Sequence, residues 1–213
     1  MQKNSVAYSI ASNVTEPGLH NFVLKLPDKP EYPKLTRHLY STMRSDNSLS
    51  ASALTGFPPV IAADTHTLIL GSFPGKASLD AGQYYAYRHN QFWQLLSAVL
   101  HIDLLPMDYA ARLRHLLANR IGLWDVFHSC VREGSLDAAI REGKWNDFDH
   151  LREHYPQLKR VCFNGKTAAK IESYFRQKGF DTLVLPSSSP ANARMSLSEK
   201  QHHWSRITLP SAT

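Results

Sequence analysis

From Asp64 onward the chain alternates between two hydrophobic textures. Short continuous apolar runs, HTLILGS (66–72), IGLWDVF (121–127), VCFNG (161–165) and TLVLP (182–186), predict four buried strands. Between them, FWQLLSAVLHI (92–102), MDYAARLRHLLANR (107–120, with Asn119 near its end) and KTAAKIESYFRQKG (166–179, stopped by Gly179) carry apolar residues at three-to-four spacing and predict helices. SLDAAIREG (135–143) reads as a further helix opened by Ser135 and closed by Gly143, and SLSEKQHHWSRI (196–207) as a terminal helix capped by Ser196 or Ser198. Strand, turn and helix in repetition predict an α/β fold with a parallel sheet covered on both faces.

Residues 1 to about 60 have no sustained period and contain the breakers EPG, LPDKPEYP and GFPP. Residues 1–54 are therefore expected to be an irregular or disordered extension, and 55–213 the folded domain. A later translation start at Met43 is the alternative. No segment has the run of ~18 apolar residues a membrane span requires, and the N-terminal apolar patch is too short for a secretory signal, so a cytoplasmic protein with no membrane partner is expected. Cys130 and Cys162 stand far apart with no CxxC pair, so they are expected to be buried reduced thiols rather than metal ligands.

A formal net charge of +6 and a pI near 9.3 favour a polyanionic partner. Over residues 159–206 nine Lys or Arg (Lys159, Arg160, Lys166, Lys170, Arg176, Lys178, Arg194, Lys200, Arg206) face three acids (Glu172, Asp181, Glu199). The C-terminal third is accordingly the side expected to face that partner.

In an open parallel sheet, ligands bind beyond the carboxyl ends of the strands. Four segments qualify: GSFPGKASL, WDVFHSC, FNGK and PSSSPANA. The first offers backbone amides for close approach but is neither a P-loop nor a GxGxxG turn. It is followed by GQYYAYRHNQFW, whose aromatics suit stacking on a nucleobase. Phe92 and Trp93 read as core residues of the next helix, whereas Tyr84 and Tyr85 lie in a polar loop. Asn164 in FNGK reads as satisfying turn backbone.

The four segments, in this order, resemble the hypoxanthine-DNA glycosylases of the uracil-DNA glycosylase superfamily over about residues 55–207. The resemblance implies a three-layer α/β/α sandwich around a short, mostly parallel four-stranded sheet, with no metal or organic cofactor. It implies hydrolysis of an N-glycosidic bond by a monomer acting on double-stranded DNA that contains deaminated bases, after the nucleotide is extruded. Most of the superfamily has a polar residue at the third position of the first motif to position water; here that residue is Phe73, which instead walls the base pocket with Gly71, Ser72, Pro74 and Tyr85.

By the same resemblance Asn90 becomes the catalytic candidate, since its amide can accept from and donate to a water at once; capping the following helix is its alternative role. Asp125 stands where relatives read the base edge. As an ionised carboxylate it would accept from N1–H of hypoxanthine and reject adenine; the alternative is a structural strand-end Asp. His128 could contact base or phosphate, or simply pack. PSSSPANA matches the superfamily's second motif, so Ser187, Ser188, Ser189, Asn192 and Arg194 are expected to hold phosphates, without the histidine that many relatives carry there. The rival functions are a uracil- or mixed-specificity glycosylase and a non-catalytic DNA-binding relative. A serine hydrolase using Ser72 or Ser188 lacks a GxSxG elbow.

Overall fold

The apolar runs become strands because both of their faces are covered, the usual condition for an all-parallel sheet. The computed structural model describes residues 53–208. In chain order these hold β1 (Leu54–Thr55), β2 (Thr67–Gly71), α1 (Lys76–Ala81), α2 (Phe92–Leu100), α3 (Tyr109–Ala118), β3 (Ile121–Asp125), β4 (Phe127–Val131) and β5 (Arg141–Trp145). There follow α4 (Leu151–His154), β6 (Arg160–Asn164), α5 (Glu172–Gln177), β7 (Asp181–Leu185) and α6 (Leu197–Trp204).

The main sheet runs β3-β2-β6-β7 with every neighbouring pair parallel, as the four apolar runs predict. Side-chain alternation divides its core into two layers. Ile69, Ile121, Leu123, Cys162, Leu183 and Leu185 face Phe92, Leu96, Leu116 and Trp204 on α2, α3 and α6. Leu68, Leu70, Val161 and Phe163 face Leu151 and Phe175 on α4 and α5, with Phe148 and Phe180. The result is the expected three-layer sandwich. Cys130 and Cys162 are buried and unpaired, and burial pushes the Cys162 thiol up to about 12.

The structure corrects the sequence reading at several elements. Residues 135–143 are not a helix: Asp137–Ala139 makes one 3-10 turn and Arg141–Trp145 is a strand antiparallel to β4, in a second sheet ordered β1-β4-β5. So short a segment is a marginal helix by itself, and β4 offers its backbone a partner. Gly143, read as a helix stop, serves that pairing, since an added Cβ would lie 2.5 Å from the Phe127 ring. The run IGLWDVF is two elements, β3 ending at Asp125 and β4 starting at Phe127. Lys76–Ala81, read as loop, is helical. Residues 168–171 are a 3-10 turn ahead of α5, which places buried Ala168 and Ile171, three apart, on one side. Ser196 caps α6 in a reciprocal capping box with Glu199. Phe92 and Trp93 are core, and so is Tyr84, at 3% exposure. The expectation for residues 1–54 falls outside the described residues, except that Leu54 belongs to β1.

Trp204 closes the α2–α6 side of the core. It is fully buried, its Nε1 donates to the Pro186 carbonyl at 3.0 Å, and its ring meets Phe92 edge-on at 5.7 Å. Trp204→Ala should therefore lower folding stability by about 3–5 kcal/mol. Urea unfolding with a loss below about 1 kcal/mol would show that this side of the core can collapse around the cavity.

Candidate active site

Strand register determines what stands at the carboxyl edge of the sheet. Gly71 pairs with Asp125 and Asn164 with Leu185, so the last residues of all four strands form one row. Beyond it opens a cleft of about 1130 Å³, slightly larger than the ~300–1,000 Å³ usual for ligand sites. Of the residues expected in the site, Gly71, Ser72, Phe73, Pro74, Tyr85, Asn90, Asp125, Ser187, Ser188, Ser189, Asn192 and Arg194 line this cleft. His128 does not: it lies exposed on β4, because strand alternation turns its neighbour Phe127 inward.

Asp125 is buried to 3% exposure. Its backbone carbonyl accepts from Asn146 Nδ2 at 2.8 Å, while side-chain Oδ2 has no hydrogen-bond partner among the described residues. Burial, reinforced by the Asp137 charge and opposed by the Arg132 guanidinium, pushes its carboxyl up to about 8. This revises the acceptor-only expectation. Near neutrality the group keeps its proton and offers one donor and one acceptor, so it no longer rejects adenine by charge.

Tyr85 adopts a left-handed backbone with φ 55°, a strained conformation for an aromatic residue. Two contacts hold it there: its ring stacks on Phe92 at 3.6 Å and 8°, and its hydroxyl accepts from Asn164 Nδ2 at 3.1 Å. Asn164 also donates to Ser188 Oγ at 2.8 Å, and its Oδ1 accepts from Ser188 N at 2.8 Å. The turn reading of Asn164 was therefore too narrow. It ties the Tyr85 loop to the 187–194 loop from inside the cleft, and its place at a strand end was the available signal. Ser188 is fully buried with its hydroxyl engaged by Asn164. Of the three serines, only the partly exposed Ser187 and Ser189 are left accessible to a phosphate.

Asn90 closes a turn by donating its N–H to the Tyr87 carbonyl at 2.8 Å, and its Oδ1 accepts from Phe92 N at 3.0 Å. The helix-capping alternative is realised only in part: the N-cap residue of α2 is Gln91, which makes no side-chain cap bond, and Asn90 receives the first N–H of the helix from one position ahead of it. Because Phe92 N–H can only donate, the facing atom is the oxygen, which fixes the amide's orientation. One Oδ1 lone pair and the Nδ2 donor remain, and Nδ2 finds no acceptor among the described residues.

The segment misread as a helix, together with Arg132 just after β4, supplies further parts. Asp137 Oδ1 accepts from Ser72 Oγ at 2.6 Å, and Arg132, buried at 6% exposure, donates to the Pro74 carbonyl while its guanidinium lies 5.1 Å from the Phe73 ring centre. The basic C-terminal third is less open than its composition suggests. Arg160, Arg176 and Lys178 pair with Asp181, Glu172 and Asp149, and Lys200, 1% exposed, donates to Gln91 Oε1. Lys166 and Arg194 line the cleft, as does Lys76 from outside that third. Among the described residues no group of three or more His, Cys, Asp or Glu is arranged to hold a metal ion, and no helix is long and apolar enough to cross a membrane.

The raised Asp125 carboxyl links folding to pH. Below the ordinary value of 3.8 it is neutral in both folded and unfolded chains. Between there and about 8 only the unfolded chain releases the proton, so stability falls as pH rises, and the loss is complete above about 8. Asp125→Asn keeps the shape and removes the titration. Its melting temperature should exceed that of the wild type at pH 9 by at least about 2–4 °C, with a smaller difference at pH 5. Equal differences at the two pH values would contradict a carboxyl that folds as the neutral acid.

A profile of the uracil DNA glycosylase superfamily matches residues 58–208. The chain is 45% identical over 149 residues to a protein of Methanosarcina barkeri (strain Fusaro / DSM 804) named hypoxanthine DNA glycosylase, a match covering 70% of this chain and 94% of that one. It is 43% identical over 152 residues to a protein of the same name from Methanosarcina acetivorans, covering 71% and 96%. The solution NMR structure of a candidate uracil DNA glycosylase from Methanosarcina acetivorans superimposes with a TM-score of 0.68 at 42% identity, covering 73% of this chain and 97% of that one. On the profile, the near full-length relatives and the shared fold, the chain belongs to the uracil DNA glycosylase superfamily.

Proposed function

We propose that this chain is a hypoxanthine-DNA glycosylase that hydrolyses the N-glycosidic bond of deoxyinosine extruded from DNA. One observation carries the reading: Asn90, the buried Asp125 and the aromatic walls Phe73 and Tyr85 converge in one cleft, in a chain so similar to two proteins of that name. Extrusion is needed because the bond is inaccessible in the stack, and it selects for deaminated bases, whose mispairs unpair more readily.

In the cleft, Phe73 and Tyr85 supply apolar surface for a purine. Asp125, neutral below about 8, can accept from N1–H of hypoxanthine through its C=O and donate to O6 through its O–H. Asn90, its amide aimed by Phe92 N–H, orients the attacking water through the free Nδ2 donor and the remaining lone pair. The water oxygen bonds to C1′ as the C1′–N9 bond breaks through an oxocarbenium-like transition state; the bonding pair leaves with the purine, the attacking water releases one proton to solvent as it becomes the C1′ hydroxyl, and the purine takes one up, so that the exchange balances. Ser187, Ser189, Asn192 and Arg194, with Lys76 and Lys166, line the same cleft and supply the donors and positive charge for holding the flanking phosphates.

The direct test is base release from duplexes carrying hypoxanthine, uracil, xanthine or ethenoadenine. Hypoxanthine should leave fastest, because a purine covers more of the aromatic wall than a pyrimidine does. Uracil release at an equal or greater rate would transfer the assignment to a uracil-type enzyme, and binding without any release would leave a DNA-binding relative.

Asn90 provides the second test. Asn90→Ala should reduce single-turnover release by about 100-fold or more, since positioning a reactant can supply several kcal/mol of the barrier, while loss of the bond from Phe92 N costs about 1 kcal/mol of stability. Asn90→Ser retains a capping oxygen and should remain nearly as slow. A folded Asn90→Ser protein with wild-type rates would reduce Asn90 to a cap.

A further inference from the structure

Among the described residues five large apolar side chains are exposed: Tyr87, Leu105, Leu136, Trp145 and Val184. Three of them, Tyr87, Leu136 and Val184, line the mouth of the cleft, and Leu136 is the most exposed of all at 63%. A lone surface leucine needs no explanation. This one is held in place on both sides. Its neighbour Ser135 accepts through Oγ from Lys76 N at 3.0 Å, and its other neighbour Asp137 accepts from Ser72 Oγ at 2.6 Å. A third tie, from Ala139 N to the Leu136 carbonyl at 3.0 Å, closes the turn. The tip of the β4–β5 hairpin is thereby fastened to the segment 72–76 that walls the cleft, and Leu136 is carried at the rim with its side chain unburied.

Extruding a nucleotide leaves a gap between its neighbours, and proteins that open a base stack commonly fill such gaps with a leucine, phenylalanine, isoleucine, methionine or proline. The other cleft loop, 187–194, offers serines, alanines, Asn192, Arg194 and the short ring of Pro190, and Met195, which follows it and also lines the cleft, is partly buried where Leu136 is exposed. We propose that Leu136 is the wedge of this protein, entering the duplex beside the extruded nucleotide and holding the stack open. The proposal rests on the glycosylase reading, and it places the wedge on the hairpin that the sequence disguised as a helix.

The test compares wild type, Leu136→Ala, Leu136→Met and, as a control, Leu105→Ala, an exposed leucine that does not line the cleft. Each is assayed in single turnover on one oligonucleotide carrying deoxyinosine, as single strand and as duplex. The fluorescence of a 2-aminopurine beside the lesion reports unstacking on binding without requiring turnover. Leu136→Ala should lower the duplex rate relative to its own single-strand rate by about tenfold or more and lose most of the fluorescence gain, since unstacking a step costs a few kcal/mol. Leu136→Met should restore most of both, and Leu105→Ala should match the wild type. A wild-type rate ratio and a full fluorescence gain in Leu136→Ala would overturn the wedge while leaving the glycosylase reading intact. No base release by the wild type from either form would overturn both.

Discussion

At Gly71 an added Cβ would lie 2.3 Å from Asp125 Oδ1 and 2.9 Å from the Tyr85 hydroxyl. The bare α-carbon at the end of β2 is what lets a carboxyl and a phenol crowd onto the carboxyl edge of the sheet. Parallel register brings Asp125 directly beside that gap, and once there the carboxyl is shut away from water. Its raised pKa and the Oδ2 left without a partner among the described residues both reflect this burial. Burying a polar atom without a partner is unfavourable, so the arrangement persists because two layers of packed side chains overdetermine it.

From this edge a chain of hydrogen bonds runs back through the fold. Tyr85 accepts from Asn164, Asn164 and Ser188 bond reciprocally, the Ser188 carbonyl accepts from Gln91 N, and Gln91 Oε1 accepts from the buried Lys200 of α6. Gly165 permits the approach of the 187–194 loop: it has φ 98°, and an added Cβ would meet Ser187 Cβ at 2.9 Å. Two loops distant in sequence are therefore positioned by the same strand end. Burial holds the Lys200 ammonium below its ordinary pKa, so Gln91 relieves a desolvated charge while fixing the start of α2, next to Asn90.

The small antiparallel sheet gives the other side of the cleft its rigidity. Arg132 holds the Pro74 carbonyl and lies over Phe73, Ser135 holds Lys76 and Asp137 holds Ser72. Each contact reaches from the β4–β5 hairpin to the loop after β2. A wall of the cleft that looks like one glycine- and proline-bearing turn in the sequence is thus a two-part structure.

The sequence by itself determined the four strands, their parallel arrangement, most helices and the strand-end segments where function gathers, because apolar runs and three-to-four spacing are local consequences of burial. It also singled out Asn90, Phe73, Tyr85 and Asp125 as residue types suited to the chemistry that the resemblance implies. Only the tertiary structure decided the rest. Residues 141–145 pair as an edge strand because β4 lies beside them, and no local pattern signals a partner. His128 points away, Ser188 is buried and Asn164 bridges two loops, since strand alternation and the meeting of distant loops set those orientations. The protonation of Asp125 depends on its desolvation, and desolvation is a property of everything packed around the group rather than of the group itself.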